Sequence, residues 1–108
     1  MADFFDTELR VGEIVKAEIF TEAKKPAYKL WINFGEALGI KTSSAQITSL
    51  YTTKMLIGKL VIAVTNLEPK QVGPFISEVL LLGVNGKNVG DIILIAPEDK
   101  ADIGSRVH

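Results

Sequence analysis

Apolar and polar residues alternate along much of this chain, which predicts β-strands rather than helices. The clearest case is the segment 28–34, YKLWINF, in which Leu30, Ile32 and Phe34 would face one side of a strand and the residues between them the other. Further strands are predicted over 11–20, 39–42, 59–65, 78–84 and 91–96, and a short helix over 47–57.

The order of these elements is that of an OB-fold, an all-β five-stranded Greek-key barrel. The short helix would lie between strands three and four, with extensions at both ends of the chain. In OB-folds, the loops between strands one and two and between strands four and five flank the ligand-binding face. Those loops are here 21–27, TEAKKPA, and 67–76, LEPKQVGPFI, and both contain lysine. Other small barrels share a similar order of elements.

Length and composition are typical of one globular domain, predicted over 1–108. Hydrophobic residues make up 47% and charged residues 23% of the chain, which excludes disordered and collagen-like classes. No apolar run approaches the roughly 20 residues that span a bilayer, so no membrane insertion is expected. The N-terminal MADFFDTELR is acidic and does not resemble a secretory signal. A cytoplasmic protein is the simplest interpretation.

Charge is unevenly distributed along the chain. Residues 1–23 contain two basic and six acidic side chains, whereas 24–70 contain seven lysines and two glutamates, and 71–108 contain three basic and five acidic side chains. A positive middle segment favours an anionic partner. The alternative is that these lysines only solvate a surface.

Catalytic chemistry is not indicated. The chain has no cysteine, and its one histidine is the C-terminal His108. Ser43 and Ser44 therefore lack a plausible histidine base, and no paired-histidine metal spacing is present. Phosphate-cradling and dinucleotide-binding motifs are also missing from the sequence. The sequence predicts neither an enzyme nor a cofactor or metal site.

Several side chains suit a nucleic-acid ligand instead. Lysines would contact phosphates, and hydroxyl and amide groups suit the sugar and base edges of structured RNA. Phe75 lies in the second loop, where it could contact a base or an apolar peptide side chain, while Trp31 better suits a core margin or a subunit interface. Ser44 could alternatively cap the predicted helix. The candidate phosphate contacts are Lys24, Lys25, Lys29, Lys41 and Lys70, and the candidate polar contacts are Ser43, Ser44 and Gln46.

Three separated segments resemble the tRNA-binding domain family: LRVGEIVKAE, KKPAYKLWINFG and NLEPKQVGPFISEVLLLG. That family includes free-standing dimeric tRNA-binding proteins and C-terminal appendices of some aminoacyl-tRNA synthetases. Within it, KKPAYKL, KTSSAQIT and SEVL are most similar to the CsaA branch, whose members are described as secretion chaperones. The resemblance covers nearly the whole chain, from Phe5 to His108.

The resemblance implies an OB-fold homodimer that binds tRNA, with preproteins or peptides as further partners of CsaA members. The family's asparagine at the end of strand four matches Asn66, its lysine after NLxP matches Lys70, and its serine opening strand five matches Ser77. Where the family often has SxGM, this chain has SEVL, so Val79 replaces the glycine and Leu80 replaces a methionine implicated in RNA contact.

Apolar residues also indicate a dimer. The runs VLLLGV and DIILIAP contain more apolar residues than a small barrel with one solvated surface needs, and Phe4 and Phe5 add aromatic area at the N-terminus. The sequence therefore predicts a non-catalytic tRNA-binding homodimer. The alternative is a protein-export chaperone that binds preproteins or extended peptides.

Overall fold

The computed structural model describes residues 6–108, and Phe4 and Phe5 lie outside that range. Strands dominate the described residues, as the alternating pattern predicts, and helix is confined to a single turn. The elements are β1 (Leu9–Ile19), β2 (Tyr28–Asn33), β3 (Ile40–Ala45), α1 (Thr53–Leu56), β4 (Leu60–Val64), β5 (Lys70–Val72), β6 (Phe75–Ser77), β7 (Leu80–Leu81), β8 (Gly83–Asn85) and β9 (Ile92–Leu94).

Five strands form an antiparallel sheet in the order β3-β2-β1-β4-β7. The long strand β1 serves both halves of this sheet, since Leu9 to Glu13 pair with β4 and Glu13 to Ile19 pair with β2. The register of β1 against β2 shifts between Ile14 and Lys16, which is the signature of a β-bulge. Such a bulge bends the strand, and the bend lets one strand contribute to both sides of a barrel.

The barrel closes where β3 meets the segment before β7. The carbonyl of Thr42 accepts hydrogen bonds from the backbone N–H groups of Glu78, at 2.8 Å, and Val79, at 3.2 Å. The two ends of the sheet are thereby joined, and the architecture is a nearly closed five-stranded antiparallel barrel. This confirms the predicted OB-fold.

The barrel interior is filled by one face of each strand. Leu30 and Ile32 are fully buried, and Phe34 is almost so, as the alternation in 28–34 predicts. Gly12 lies where β1 crosses this layer, and a Cβ atom there would lie 2.5 Å from Cγ2 of Ile32. Glycine is needed at that position because the neighbouring side chains leave no room. The buried cluster comprises Ile14, Tyr28, Leu30, Ile32, Phe34, Ile47, Leu56, Val61, Ala63, Val79 and Leu94.

The predicted helix over 47–57 is mostly wrong. Only Thr53–Leu56 is helical, and its N-cap is Thr52, whose Oγ1 accepts a hydrogen bond from the N–H of Met55 at 3.2 Å. Ser44 is therefore not the cap, because it lies inside β3, which runs three residues beyond the predicted end at 42. β-branched threonines disfavour helix in this region, and pairing with β2 extends the strand.

The predicted loop 67–76 contains a β-hairpin. Strands β5 and β6 pair with Lys70 opposite Ser77 and Val72 opposite Phe75, and Gly73 in the turn has a φ of +57°. Glycine adopts this left-handed conformation without the steric cost that a side chain would add. The predicted strand 78–84 is also divided, into β7 and β8, and β8 pairs with β9 as a separate hairpin.

The C-terminal segment runs back along the start of β1. The N–H of Val11 donates to the carbonyl of Ser105 at 2.9 Å, and the N–H of Val107 donates to the carbonyl of Leu9 at 2.8 Å. Arg10 reinforces this contact, because its Nη1 donates to the carbonyl of Gly104 at 2.8 Å. Across residues 6–108, no helix has the length and apolar character needed to cross a membrane.

Candidate nucleic-acid interface

The two predicted loops lie beside each other and enclose a cavity of about 390 Å³. The segment 21–27 forms one wall, the turn of the β5–β6 hairpin forms the opposite wall, and the end of β3 forms the floor. The cavity is lined by Glu22, Ala23, Lys24, Lys25, Ala27, Ser44, Gln46, Val72 and Gly73. Four of these, Lys24, Lys25, Ser44 and Gln46, are residues that the sequence predicts for binding.

Short hydrogen bonds hold both walls in place. The first wall is closed at its base, where the N–H of Phe20 donates to the carbonyl of Ala27 at 3.0 Å. The hairpin is attached to β3, because the hydroxyl of Thr42 donates to the carbonyl of Ile76 at 2.7 Å and the N–H of Ser44 donates to Oγ of Ser77 at 3.1 Å. The cavity walls are therefore fixed by the barrel.

An aromatic cluster supports the hairpin from beneath. The ring of Phe75 packs edge to face against Phe20 and Trp31, with centroid separations of 5.6 and 5.7 Å. Lys29 lies above two of these rings, with its Nζ 5.7 Å from the centroid of Phe20 and 5.8 Å from that of Phe75. Phe75 is half-buried. Its ring connects the hairpin to Phe20 and Trp31.

Two further cavities continue the surface in the direction of β7. One, of about 410 Å³, shares Ser44 and Gln46 with the first cavity and is otherwise mainly apolar. The next, of about 260 Å³, shares Leu80 with the second and is lined in addition by Lys70, Ser77, Val79, Leu67 and Glu68. We call this chain of three cavities the groove. It brings together residues that lie far apart in the sequence.

The lysines differ in how far their charge is already neutralised. Lys24, Lys25 and Lys70 are exposed, and the part of the chain from 6 to 108 offers them no ion-pair partner. Lys29 instead lies 3.8 Å from Oε1 of Glu18, and Lys41 lies 4.0 Å from Oε2 of Glu78. The first three are therefore the most available for an anionic ligand.

Ser43 is not part of this surface. Its side chain is 1% exposed and points into the barrel opposite Leu30, so the expected contact with a ligand is wrong. Alternation explains the error, because adjacent residues of a strand face opposite sides and only Ser44 reaches the groove.

Asn66 and Ser77 are already engaged within the protein. Oδ1 of Asn66 accepts from the N–H of Glu8 at 2.9 Å, and its Nδ2 donates to the carbonyl of Asp6 at 2.7 Å. Oγ of Ser77 accepts from Ser44 and lies 3.4 Å from the carbonyl of Val79. Leu80, by contrast, is 52% exposed at the junction of two cavities.

Sequence reasoning missed Lys16 and Phe20. Lys16 pairs with Trp31 across β1 and β2, and its Nζ lies 4.5 Å from the centroid of the indole ring. The alternation along β1 could have placed Lys16 on the outer face, but the bulge after Ile14 shifts the register in a way that the sequence does not reveal.

As for metals, no group of three histidine or acidic side chains within 6–108 is arranged to bind one.

Comparisons with known proteins find a matching protein family and similar solved structures for this barrel. A family model described as "Putative tRNA binding domain" matches residues 9–106. The structure is similar to that of chaperone CsaA from Bacillus anthracis strain Ames, with a TM-score of 0.89, 45% identity, and 100% of this chain and 99% of that one covered. For the CsaA chaperone protein from Picrophilus torridus the TM-score is 0.88 and the identity 43%, with 100% of both chains covered.

A curated relative is a much longer protein. The methionine–tRNA ligase of Bdellovibrio bacteriovorus is 32% identical over 106 residues, which are 98% of this chain and 15% of the ligase. This chain thus spans only a small part of that ligase's length. Since the family model extends from the start of β1 to the C-terminal segment that pairs with it, this chain belongs to the tRNA-binding domain family.

Proposed function

We propose that this protein is a non-catalytic tRNA-binding protein that acts as a homodimer. The observation that carries the proposal is the groove, in which three exposed lysines, without an ion-pair partner among residues 6–108, lie beside polar and apolar groups on a fixed barrel surface. Membership of the tRNA-binding domain family supports the same ligand. Because tRNA is the ligand, we expect the protein to act in the cytoplasm.

Within the groove, each class of side chain has a distinct role. Lys24, Lys25 and Lys70 contact phosphates, a kind of contact that does not depend on sequence. Ser44 and Gln46 form hydrogen bonds with sugar or base edges at the centre of the groove. Leu80 supplies apolar contact where the family often has methionine. Lys29 and Lys41 do not line the groove, but they contribute a weaker positive field beside it because Glu18 and Glu78 neutralise part of their charge.

A titration of labelled tRNA at several salt concentrations tests this proposal. Phosphate contacts release counterions, so the logarithm of the affinity should fall linearly with the logarithm of the salt concentration. A triple variant, Lys24→Gln, Lys25→Gln and Lys70→Gln, should lose most of that dependence. Affinity that is absent at low salt, or is unchanged in the triple variant, would refute the proposal.

Exposed apolar residues near β8 and β9 support the homodimer. Val84 and Ile93 expose 52% and 45% of their surface, and Val89 in the turn between these strands is fully exposed. Apolar area of this kind is usually covered by another subunit. Light scattering at micromolar concentration should give about twice the 11.8 kDa of one chain. A mass of one chain would contradict the dimer.

The second candidate is a protein-export chaperone that binds extended peptides. The specific observation in its favour is the middle cavity of the groove, which is lined by Leu80, Leu81, Ile92 and Leu94. The similarity to the structures of two CsaA chaperones points the same way. Capture of an apolar peptide should be nearly independent of salt. Peptide binding of this kind, combined with failure to bind tRNA, would favour this candidate over the first.

A further inference from the structure

The outer face of the β1–β2–β3 sheet presents two rows of side chains. The strand register aligns Lys16, Trp31 and Thr42 in one row across the three strands. The adjacent row consists of Glu18, Lys29 and Ser44. Both rows lie on the side away from the core, because the residues that alternate with them, such as Leu30, are buried. Ser44 links this face to the groove.

Trp31 is a partly buried ring, and Lys16 lies over one of its faces. Packing against Phe75, at an interplanar angle of 71°, fixes the indole on the sheet. The Nζ of Lys16 lies over the ring at 4.5 Å from its centroid, but this side chain is long and 57% exposed. A flexible lysine can move aside at little cost, whereas the ring beneath it cannot.

The charges beside this ring are suited to an anionic ligand. Nζ of Lys16 lies 3.3 Å from Oε2 of Glu18, and Nζ of Lys29 lies 3.8 Å from Oε1 of the same carboxylate. Two cations therefore share one anion, and a net positive charge remains next to the indole. An apolar side chain would use the ring but not these lysines, whereas a nucleotide would use both.

We propose that the face of Trp31 beneath Lys16 is a stacking site for one unpaired base of an RNA. The base would replace the lysine over the π-face, and Lys16 and Lys29 would turn to the flanking phosphates. Aromatic stacking accepts any base, so the site reads the unpaired state of the nucleotide rather than its identity. This inference rests on the proposed function in taking RNA as the ligand, but it adds a site outside the groove.

Trp31 is the only tryptophan of the chain, so its fluorescence reports directly on the site. We would titrate the protein with a single-stranded oligouridine of roughly eight nucleotides, a length within the range that OB-folds cover, and with its duplex with oligoadenine. Quenching by the single strand at concentrations at which the duplex has no effect is expected. Equal responses to both, or quenching by an apolar peptide alone, would overturn the inference.

Variants then distinguish base stacking on Trp31 from nonspecific electrostatic attraction of the RNA. Trp31→Leu should weaken oligouridine binding, measured by anisotropy of the labelled RNA, by about 5- to 150-fold, while Trp31→Phe keeps part of the affinity. Glu18→Gln should strengthen binding, because it releases both lysines, and Lys100→Gln should leave it unchanged as the matched surface control. Thermal melts identify any variant that fails to fold. If the Trp31 variants fail to fold, Glu18→Gln still tests the site.

Binding of tRNA, measured in parallel, distinguishes this inference from the proposed function. If tRNA binds the wild-type protein but neither quenches Trp31 nor loses affinity in Trp31→Phe and Trp31→Leu, the stacking site is refuted and the groove stands. If tRNA does not bind while oligouridine still quenches Trp31, the stacking site stands and the proposed function fails.

Discussion

Thr42 and Glu78 are joined by two hydrogen bonds that close the barrel. The N–H of Glu78 donates to the carbonyl of Thr42 at 2.8 Å, and Oε1 of Glu78 accepts from the N–H of Thr42 at 3.0 Å. The same carboxylate faces Lys41. The side chain of Glu78 thus connects β3, which forms the floor of the groove, to the segment that follows the β5–β6 hairpin, which forms a wall of the groove.

Replacement of this carboxylate should destabilise the barrel. Glu78→Ala leaves the N–H of Thr42 without its partner, so we expect a loss of about 1–3 kcal/mol in the free energy of unfolding. Urea melts measure this loss, with Glu36→Ala, at an exposed turn position, as the control. Equal stability of the two variants would show that the pair does not hold the barrel closed.

Lys70 tests the phosphate contacts of the proposed groove. Lys70→Ala should weaken the binding of different tRNAs to a similar extent and reduce the slope of log affinity against log salt by about one unit, as expected for one lost phosphate contact. Lys100→Ala removes the same charge far from the groove in sequence and should leave the slope unchanged. If Lys70→Ala leaves both tRNA affinity and its salt dependence unchanged, Lys70 does not contact phosphate and this part of the groove is not the tRNA site.

Asn66 should affect stability more than affinity. Its amide group bonds to both Asp6 and Glu8, so Asn66→Ala should lower the free energy of unfolding by about 1 kcal/mol. Asn66→Asp should retain the bond from the N–H of Glu8 and have a smaller effect. A loss of tRNA affinity of about 1–3 kcal/mol with an unchanged melting temperature would show instead that Asn66 contacts a base edge.

Glu8 should give the protein a specific sensitivity to acid. The hydrogen bond from Arg10, followed by that from Thr65, lowers the pKa of this carboxyl below its ordinary value of 4.5. Because the folded state favours the ionised form, its contribution to stability is present above the unfolded pKa and is lost as the pH falls through the folded pKa.

Urea melts between about pH 6 and pH 3 measure this contribution as a difference between two proteins. The wild type should lose more stability over this range than Glu8→Gln, which cannot titrate at that position. Glu98→Gln removes an exposed carboxyl elsewhere and should follow the wild type. Parallel curves for the wild type and Glu8→Gln would contradict the role of this ion pair.

The strands that line the core were predictable because burial imposes a period of two. β1, β2 and β4 lie within two residues of the predicted segments at 11–20, 28–34 and 59–65. Predictions failed where pairing partners decide the conformation. The strands of the β5–β6 hairpin are three residues each, too short to show a period of two. The segment 47–57, for which the sequence pattern predicts a helix, is instead largely held by contacts with the barrel, as with buried Ile47.

The sequence by itself determined the barrel, the positive middle segment and the types of side chain available for a ligand, since all three follow from local composition and alternation. Only the tertiary structure decided which of those side chains share a surface. Ser43 and Ser44 are neighbours in sequence but face the core and the groove, whereas Lys24, Gln46 and Val72 are far apart in sequence and line one cavity. Strand register and barrel closure set these distances, and both depend on contacts between residues remote along the chain.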